Sequence, residues 1–188
     1  MMAGNRELTE SDAATLRPLS KIFVGEVLGT FTLVFFGCGA IATAVLAKAL
    51  MGLWQVAMVW GIAVALGMYL SSHLSGAHLN PAVTLAFLFW RKTVTAKRAL
   101  FYIASQLLGA ILAGSLIYAM FGQAIKRFES ASGLIRGQSG SQLSAMMFGE
   151  YFPNPALDSQ ASYVFGKTGI SHAFLGEALG TAFLVMVI

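Results

Sequence analysis

The stretch SGAHLNPAVTLAF, Ser75–Phe87, decides how this chain is read. It places an Asn-Pro-Ala inside sequence that is otherwise almost continuously apolar. The apolar segment around it, Leu79 to Trp90, is only a dozen residues long. As a helix it would cover about 18 Å, close to half a bilayer. By itself such a segment could be an interfacial helix, a signal-like stretch or a re-entrant half-helix.

The flanking sequence narrows the choice. Of the 188 residues, 57% are hydrophobic and only 11% are charged, with a mean hydropathy of +0.73. Soluble domains carry about a quarter charged residues, so the composition is that of an integral membrane protein. Four apolar runs are long enough to span: Leu19–Ala47, Met51–Ser71, Ala99–Phe121, and His172 onward. About 20 residues cross a hydrocarbon core. The net charge of +4 is small, and the basic residues fall between apolar runs. That placement suits cytoplasmic loops better than a nucleic-acid face. Cys38 is the single cysteine, so no internal disulfide is available. The polar segment MMAGNRELTESDAATLRP, residues 1–18, carries both signs of charge and reads as a disordered cytoplasmic tail.

Charge asymmetry orients the spans. Arg17 and Lys21 precede the first, and Arg91, Lys92, Lys97 and Arg98 follow the short segment, whereas the link between spans one and two holds only Lys48. The positive-inside rule places the N-terminus and the RKTVTAKR link in the cytoplasm. The short segment then starts and ends on one side, which makes residues 74–91 re-entrant. Residues 122–169 form an external loop.

Asn80-Pro81 now has a physical reading. Asn is a favoured N-cap, and Pro suits the first helical position because its missing N–H would be unpaired there. Extended backbone in SGAHL would offer a row of carbonyl acceptors at membrane depth, tolerated where it lines a watery cavity. The Asn80 amide and the positive end of the helix would face the same cavity. Acceptors followed by a positive barrier pass water or neutral hydroxylated solutes and oppose cations and protons. An isolated Asn-Pro-Ala is more often a plain helix start; the same-side topology and the half-length helix reverse that here. The second copy, Asn154-Pro155-Ala156 in EYFPNPALD, has no apolar half-helix behind it and reads as a stiff turn in the external loop.

An internal repeat supports this organisation. GEVLGTFTLVFF, Gly25–Phe36, and GEALGTAFLVMV, Gly176–Val187, share seven of twelve positions, and Gly176 lies 151 positions after Gly25. An odd number of crossings separates the copies, so they run in opposite directions, as inverted repeats do. The same offset would put the partner of Asn80 near position 231, beyond the last residue. The expectation is one full repeat, 19–121, plus the first helix of a second, 170–188, cut short. Gly25 with Gly29, Ala110 with Gly114, and Gly176 with Gly180 lie four apart, a spacing that lets helices approach closely.

SGAHLNPAVT, Glu26 in the first span and the repeated GE-x-LGT resemble the major intrinsic proteins, the aquaporins and glycerol facilitators, over nearly all of residues 20–188. The resemblance implies an all-α membrane protein: an aquaporin-like right-handed helical bundle with inverted repeats, of which the first (three spans and one re-entrant half-helix) and the opening helix of the second are present. It also implies a homotetramer in the plasma (inner) membrane, with the lipid bilayer around it and glycerol or small polyols and water as permeants. WGIAVALGMYL and EYFPNP are similar to the glycerol-facilitator branch. That likeness puts Trp60 where the branch carries a selectivity-filter tryptophan, an apolar wall for a polyol's carbon chain. A belt tryptophan at the membrane interface is the plainer reading, and it suits Trp54 better. Val64, one turn on from Trp60, is placed on the same face. Gly76, Ala77 and His78 would supply backbone carbonyls, and Asn80, Pro81 and Ala82 the pore motif. His78 needs neither charge nor metal in this role; His73 and His172 read as interfacial.

Carboxylates inside spans are rare and face the protein interior. For Glu26 and Glu177 a proton relay is one reading. The family resemblance favours a structural one, in which each accepts backbone hydrogen bonds from a re-entrant loop, with Gln106 as a further polar brace. The sequence holds no Gly-rich phosphate loop, no Cys/His metal spacing and no nucleophile elbow. We therefore expect no enzyme, no cofactor, no metal and no nucleic-acid partner. Three functions stay open: a passive channel for glycerol and small neutral polyols that also passes water and excludes ions and protons; a water-selective channel; and a truncated, non-conducting subunit. The third follows from the family's filter, which needs an Arg next to its second pore Asn-Pro-Ala and residues of a fifth span, none of which is present.

Overall fold

The computed structural model describes residues 17–50, 52–149, 151, 154 and 170–187. The expectations for the tail up to residue 16, and for Pro155 and Ala156, fall outside these. All regular structure among the described residues is helical: α1 Leu19–Ala47, α2 Leu53–Ser75, α3 Pro81–Phe89, α4 Ala96–Ala131, the single turn α5 Gln142–Ala145, and α6 Ile170–Val187. Three of these, α1, α2 and α4, are long and apolar enough to cross a membrane. They present Phe23, Leu28, Ile62, Tyr69, Leu100 and Ile111 outward. Such an apolar exterior suits lipid and not water.

Local chemistry sets the helix ends. The Pro18 carbonyl accepts from Lys21 N (3.1 Å) and Ile22 N (3.2 Å) at the start of α1. Gln55 reaches back to the Gly52 N–H at 2.8 Å and closes the first turn of α2 as a capping box does. α4 runs ten residues past Phe121, where the apolar run stops. Phe121, Ile125 and Phe128 still face a core with Ala42 and Met147, so packing extends the helix after hydropathy has faded. It ends where Gly133 takes φ +64 and Leu134 N donates to Glu129 O at 2.9 Å, a Schellman closure. Beyond it, Arg136 Nε bonds Glu129 Oε1 at 2.9 Å and Oε2 at 3.0 Å.

Two compact units divide the described residues: those up to Leu33 with Val64–Leu112, and Val34–Ala63 with those from Ala113 on. In the first unit, Gly67 and Gly109 let backbones meet. A Cβ on Gly67 would lie 2.8 Å from Gly29 O, and one on Gly109 would lie 2.6 Å from Val27 O. Of the three small-residue pairs read from spacing, Gly25 and Gly29 are closely packed against side chains: a Cβ on Gly25 would lie 2.8 Å from Ser75 Cβ, and one on Gly29 2.7 Å from Ser71 Oγ. Gly114, Gly176 and Gly180 have nothing near the space a Cβ would take.

Candidate functional site

The site is the link from α2 to α3, inside the first unit. It is short, buried and unusual in its backbone. Gly76 takes φ +91, Ala77 +56 and Leu79 +51, and Asn80 then returns to extended geometry at φ −147 and ψ 131. The expectation of a wholly extended SGAHL is therefore corrected: Ser75 ends α2, and three of the next four residues are left-handed. An L-residue in that region costs about 1–2 kcal/mol, so something must hold Ala77 and Leu79 there.

Glu26 on α1 does so. Its Oε1 accepts from Ser75 Oγ (2.5 Å) and His78 N (3.1 Å), and its Oε2 from Leu79 N (2.8 Å) and Gln106 Nε2 (2.7 Å). Glu26 is fully buried, and each of these partners is buried. Bonds to a carboxylate contribute about 1.5–3 kcal/mol each, enough to offset the left-handed strain. The left-handed turns aim successive N–H groups inward: Gly76 N to Ser72 O, Ala77 N to Ser75 Oγ, and the next two to Glu26. Among the described residues, no donor reaches the carbonyls of Gly76, Ala77, His78 or Leu79. The loop thus spends its donors on the protein and keeps its acceptors.

Asn80 caps α3. Its Oδ1 accepts from Ala82 N at 2.7 Å, Pro81 stands at the first helical position, and Thr84 N bonds Asn80 O at 3.0 Å. Pro81 is exposed and Asn80 and Ala82 are half-buried. Thr84, fully buried, ties helix to loop. Its Oγ1 lies 3.1 Å from His78 Nδ1 and accepts from Gln106 Nε2 at 3.0 Å. The structure thus brings Glu26, His78, Asn80 and Gln106 into one network. Trp60 and Val64, four residues apart on α2, are each half-buried and take no part in it, and Glu177 on α6 is exposed.

Several contributors left no mark in the sequence pattern. The His78 ring stacks between Phe87 and Tyr102, with centroids at 4.5 and 4.2 Å. Tyr102 OH donates to Ser75 O at 2.5 Å, and Arg98 Nη1 and Nη2 donate to Arg17 O at 3.0 and 2.5 Å. These join residues 9–81 positions apart, and no local signal marks them. Ser75 and Thr84 are small polar residues in apolar surroundings, a signal that could have nominated both.

Three apolar spans and a buried polar network that fixes a short capped helix define an integral, multi-pass membrane protein. The comparisons place it further. Residues 13–188 match the model of the family described as Major intrinsic protein. The chain is 37% identical over 177 residues to a glycerol uptake facilitator protein of Pseudomonas aeruginosa, a match covering 93% of this chain and 59% of that protein. It is 39% identical over 166 residues to the Haemophilus influenzae protein of the same description, covering 88% and 58%. With Aquaglyceroporin-2 of Rhizophagus irregularis it shares 42% over 164 residues, covering 87% and 47%. Its structure resembles the X-ray structure of the aquaglyceroporin from Plasmodium falciparum, with a TM-score of 0.52 and 36% identity, over 58% of this chain and 45% of that one. This chain belongs to the major intrinsic protein family. It spans a little over half the length of the two glycerol uptake facilitator proteins and 47% of Aquaglyceroporin-2.

Proposed function

We propose that the protein is a passive transmembrane channel for glycerol and small neutral polyols that also passes water and excludes ions and protons. The observation that carries this is the loop ahead of Asn80. Its N–H groups are held by Glu26 and neighbours while its carbonyls are left without partners among the described residues. A polyol stripped of water needs acceptors in a row, and Gly76, Ala77 and His78 supply them in this reading. Asn80 and the positive end of α3 then oppose a cation or a proton relayed along the file. The relatives described as glycerol uptake facilitators and as an aquaglyceroporin favour polyols over water alone.

Trp60 is the apolar wall of the filter, with Val64 beside it. Glu26 and Gln106 are structural: with both Glu26 oxygens already taken by two donors each, a proton relay through them has little support. Glu177 is the matching brace of the second repeat. The link from α2 to α4 is re-entrant, the N-terminus is cytoplasmic, the membrane is the plasma (inner) membrane, and four copies assemble. The protein is a transporter and carries out no chemistry.

The test is swelling of proteoliposomes holding the product of the complete gene. Trp60→Ala is expected to widen the filter and weaken discrimination between glycerol and larger polyols. Unchanged relative permeation would remove Trp60 from the filter. Water flux without glycerol flux in the parent protein would favour the water-selective reading, and flux of neither the non-conducting one.

A further inference from the structure

Gly37 on α1 lies directly under the indole of Trp60, within the second unit. A Cβ built on Gly37 would stand 2.5 Å from Cε3 and Cζ3 of that ring and 2.6 Å from Cδ2. Carbon atoms in contact sit about 3.5–4.0 Å apart, so even a methyl group has no room. Gly37 is buried in the middle of a helix, where glycine is a poor choice for the backbone. Its neighbours do not share the constraint: a Cβ on Gly39 or on Gly61 would meet nothing within 4 Å. The missing side chain is therefore matched to one ring.

We infer that Gly37 is a positioning residue that seats the Trp60 indole and thereby sets the largest solute the channel passes. This rests on the reading of Trp60 as the filter wall. The indole is rigid, so a methyl on Gly37 must displace the ring as a body, by about 1 Å to regain ordinary contact. Trp60 is only half-buried, so the ring can yield on the side away from α1. A displaced wall narrows the passage, and the loss falls on glycerol more than on water. The three carbons that would clash all belong to the six-membered ring of the indole. Phenylalanine lacks that fused ring, so Trp60→Phe is expected to make room for the added methyl.

The experiment compares glycerol and water permeability in proteoliposomes of the complete gene product, corrected for inserted protein. Gly37→Ala is expected to lower the glycerol-to-water ratio by about tenfold, the scale on which one methyl group discriminates in a fitted pocket. On a Trp60→Phe background the same Gly37→Ala change is expected to leave the ratio at the value of Trp60→Phe alone, because the ring it would strike is gone. Gly61→Ala, equally placed in a span but facing open space, is the control. Equal losses of glycerol and water in Gly37→Ala, or the same fall in ratio when Gly37→Ala is added to Trp60→Phe, overturn the inference. Should Gly37→Ala fail to insert, the double variant decides: insertion with the ratio of Trp60→Phe alone supports the inference, and failure to insert, or a ratio below that of Trp60→Phe alone, overturns it. Trp60→Ala separates the two levels. If it shifts the ratio and Gly37→Ala does not, the seating role alone is wrong. If Trp60→Ala shifts nothing, the filter reading falls and the inference with it.

Discussion

The Glu26 carboxylate accepts the backbone N–H of Leu79 at 2.8 Å, joining residues 53 positions apart. One buried side chain on α1 therefore holds the left-handed residue that immediately precedes Asn80. The geometry of the α3 start depends on a helix that is remote in sequence.

Replacing Glu26 tests that dependence. Glu26→Gln keeps the volume but turns one acceptor oxygen into a donor that faces other donors. A buried donor left unpaired costs about 1–3 kcal/mol. The expected result is a clear fall in the thermal midpoint of the detergent-solubilised protein, with conduction lost alongside it. A midpoint equal to that of the parent would show that the loop is held by something else.

Asn80 separates capping from selectivity. Asp is as good an N-cap as Asn, so Asn80→Asp is expected to leave thermal stability near that of the parent, whereas Asn80→Ala is expected to cost about 1 kcal/mol. Asn80→Asp also removes the amide donor and adds a negative charge at the positive end of α3. Cation leak under an imposed potential is expected to rise and glycerol flux to fall. A parent-like barrier to cations in Asn80→Asp would place the barrier elsewhere.

Close helix approach is the third target. A Cβ on Gly67 would press on the Gly29 carbonyl at 2.8 Å, and backbone cannot step aside as a side chain can. Gly67→Ala is expected to destabilise by about 1–3 kcal/mol, the usual range for overpacking. Gly61→Ala, with nothing within 4 Å, is expected to be neutral or mildly stabilising. Equal midpoints for the two variants would contradict the packing described for the first unit.

Much of this was legible because membranes impose strict rules. Span length, apolar composition and the Asn-Pro pair are local signals, and each has a direct physical cause. The left-handed course of Gly76, Ala77 and Leu79 was not legible. Nothing in an Ala or a Leu announces positive φ; the cause lies in Glu26, which supplies the acceptor that makes the strain worthwhile. The ten residues of α4 past Phe121 were missed because their helicity comes from packing of Ile125 and Phe128 against Ala42 and Met147. The spacing rule for small residues selected Gly25 and Gly29 but overlooked Gly37, Gly67 and Gly109, whose partners lie on other helices. For Trp60, sequence resemblance nominated a role, while its seat on Gly37 needed coordinates.

The measurement that bears most directly on the central claim is glycerol uptake by vesicles reconstituted with the complete gene product, followed by light scattering beside empty vesicles and with proton leak recorded on the same preparation. The account expects glycerol entry well above that of empty vesicles, with a low activation energy and no added proton leak. Glycerol entry no faster than through empty vesicles, with the protein shown to be inserted, would contradict it.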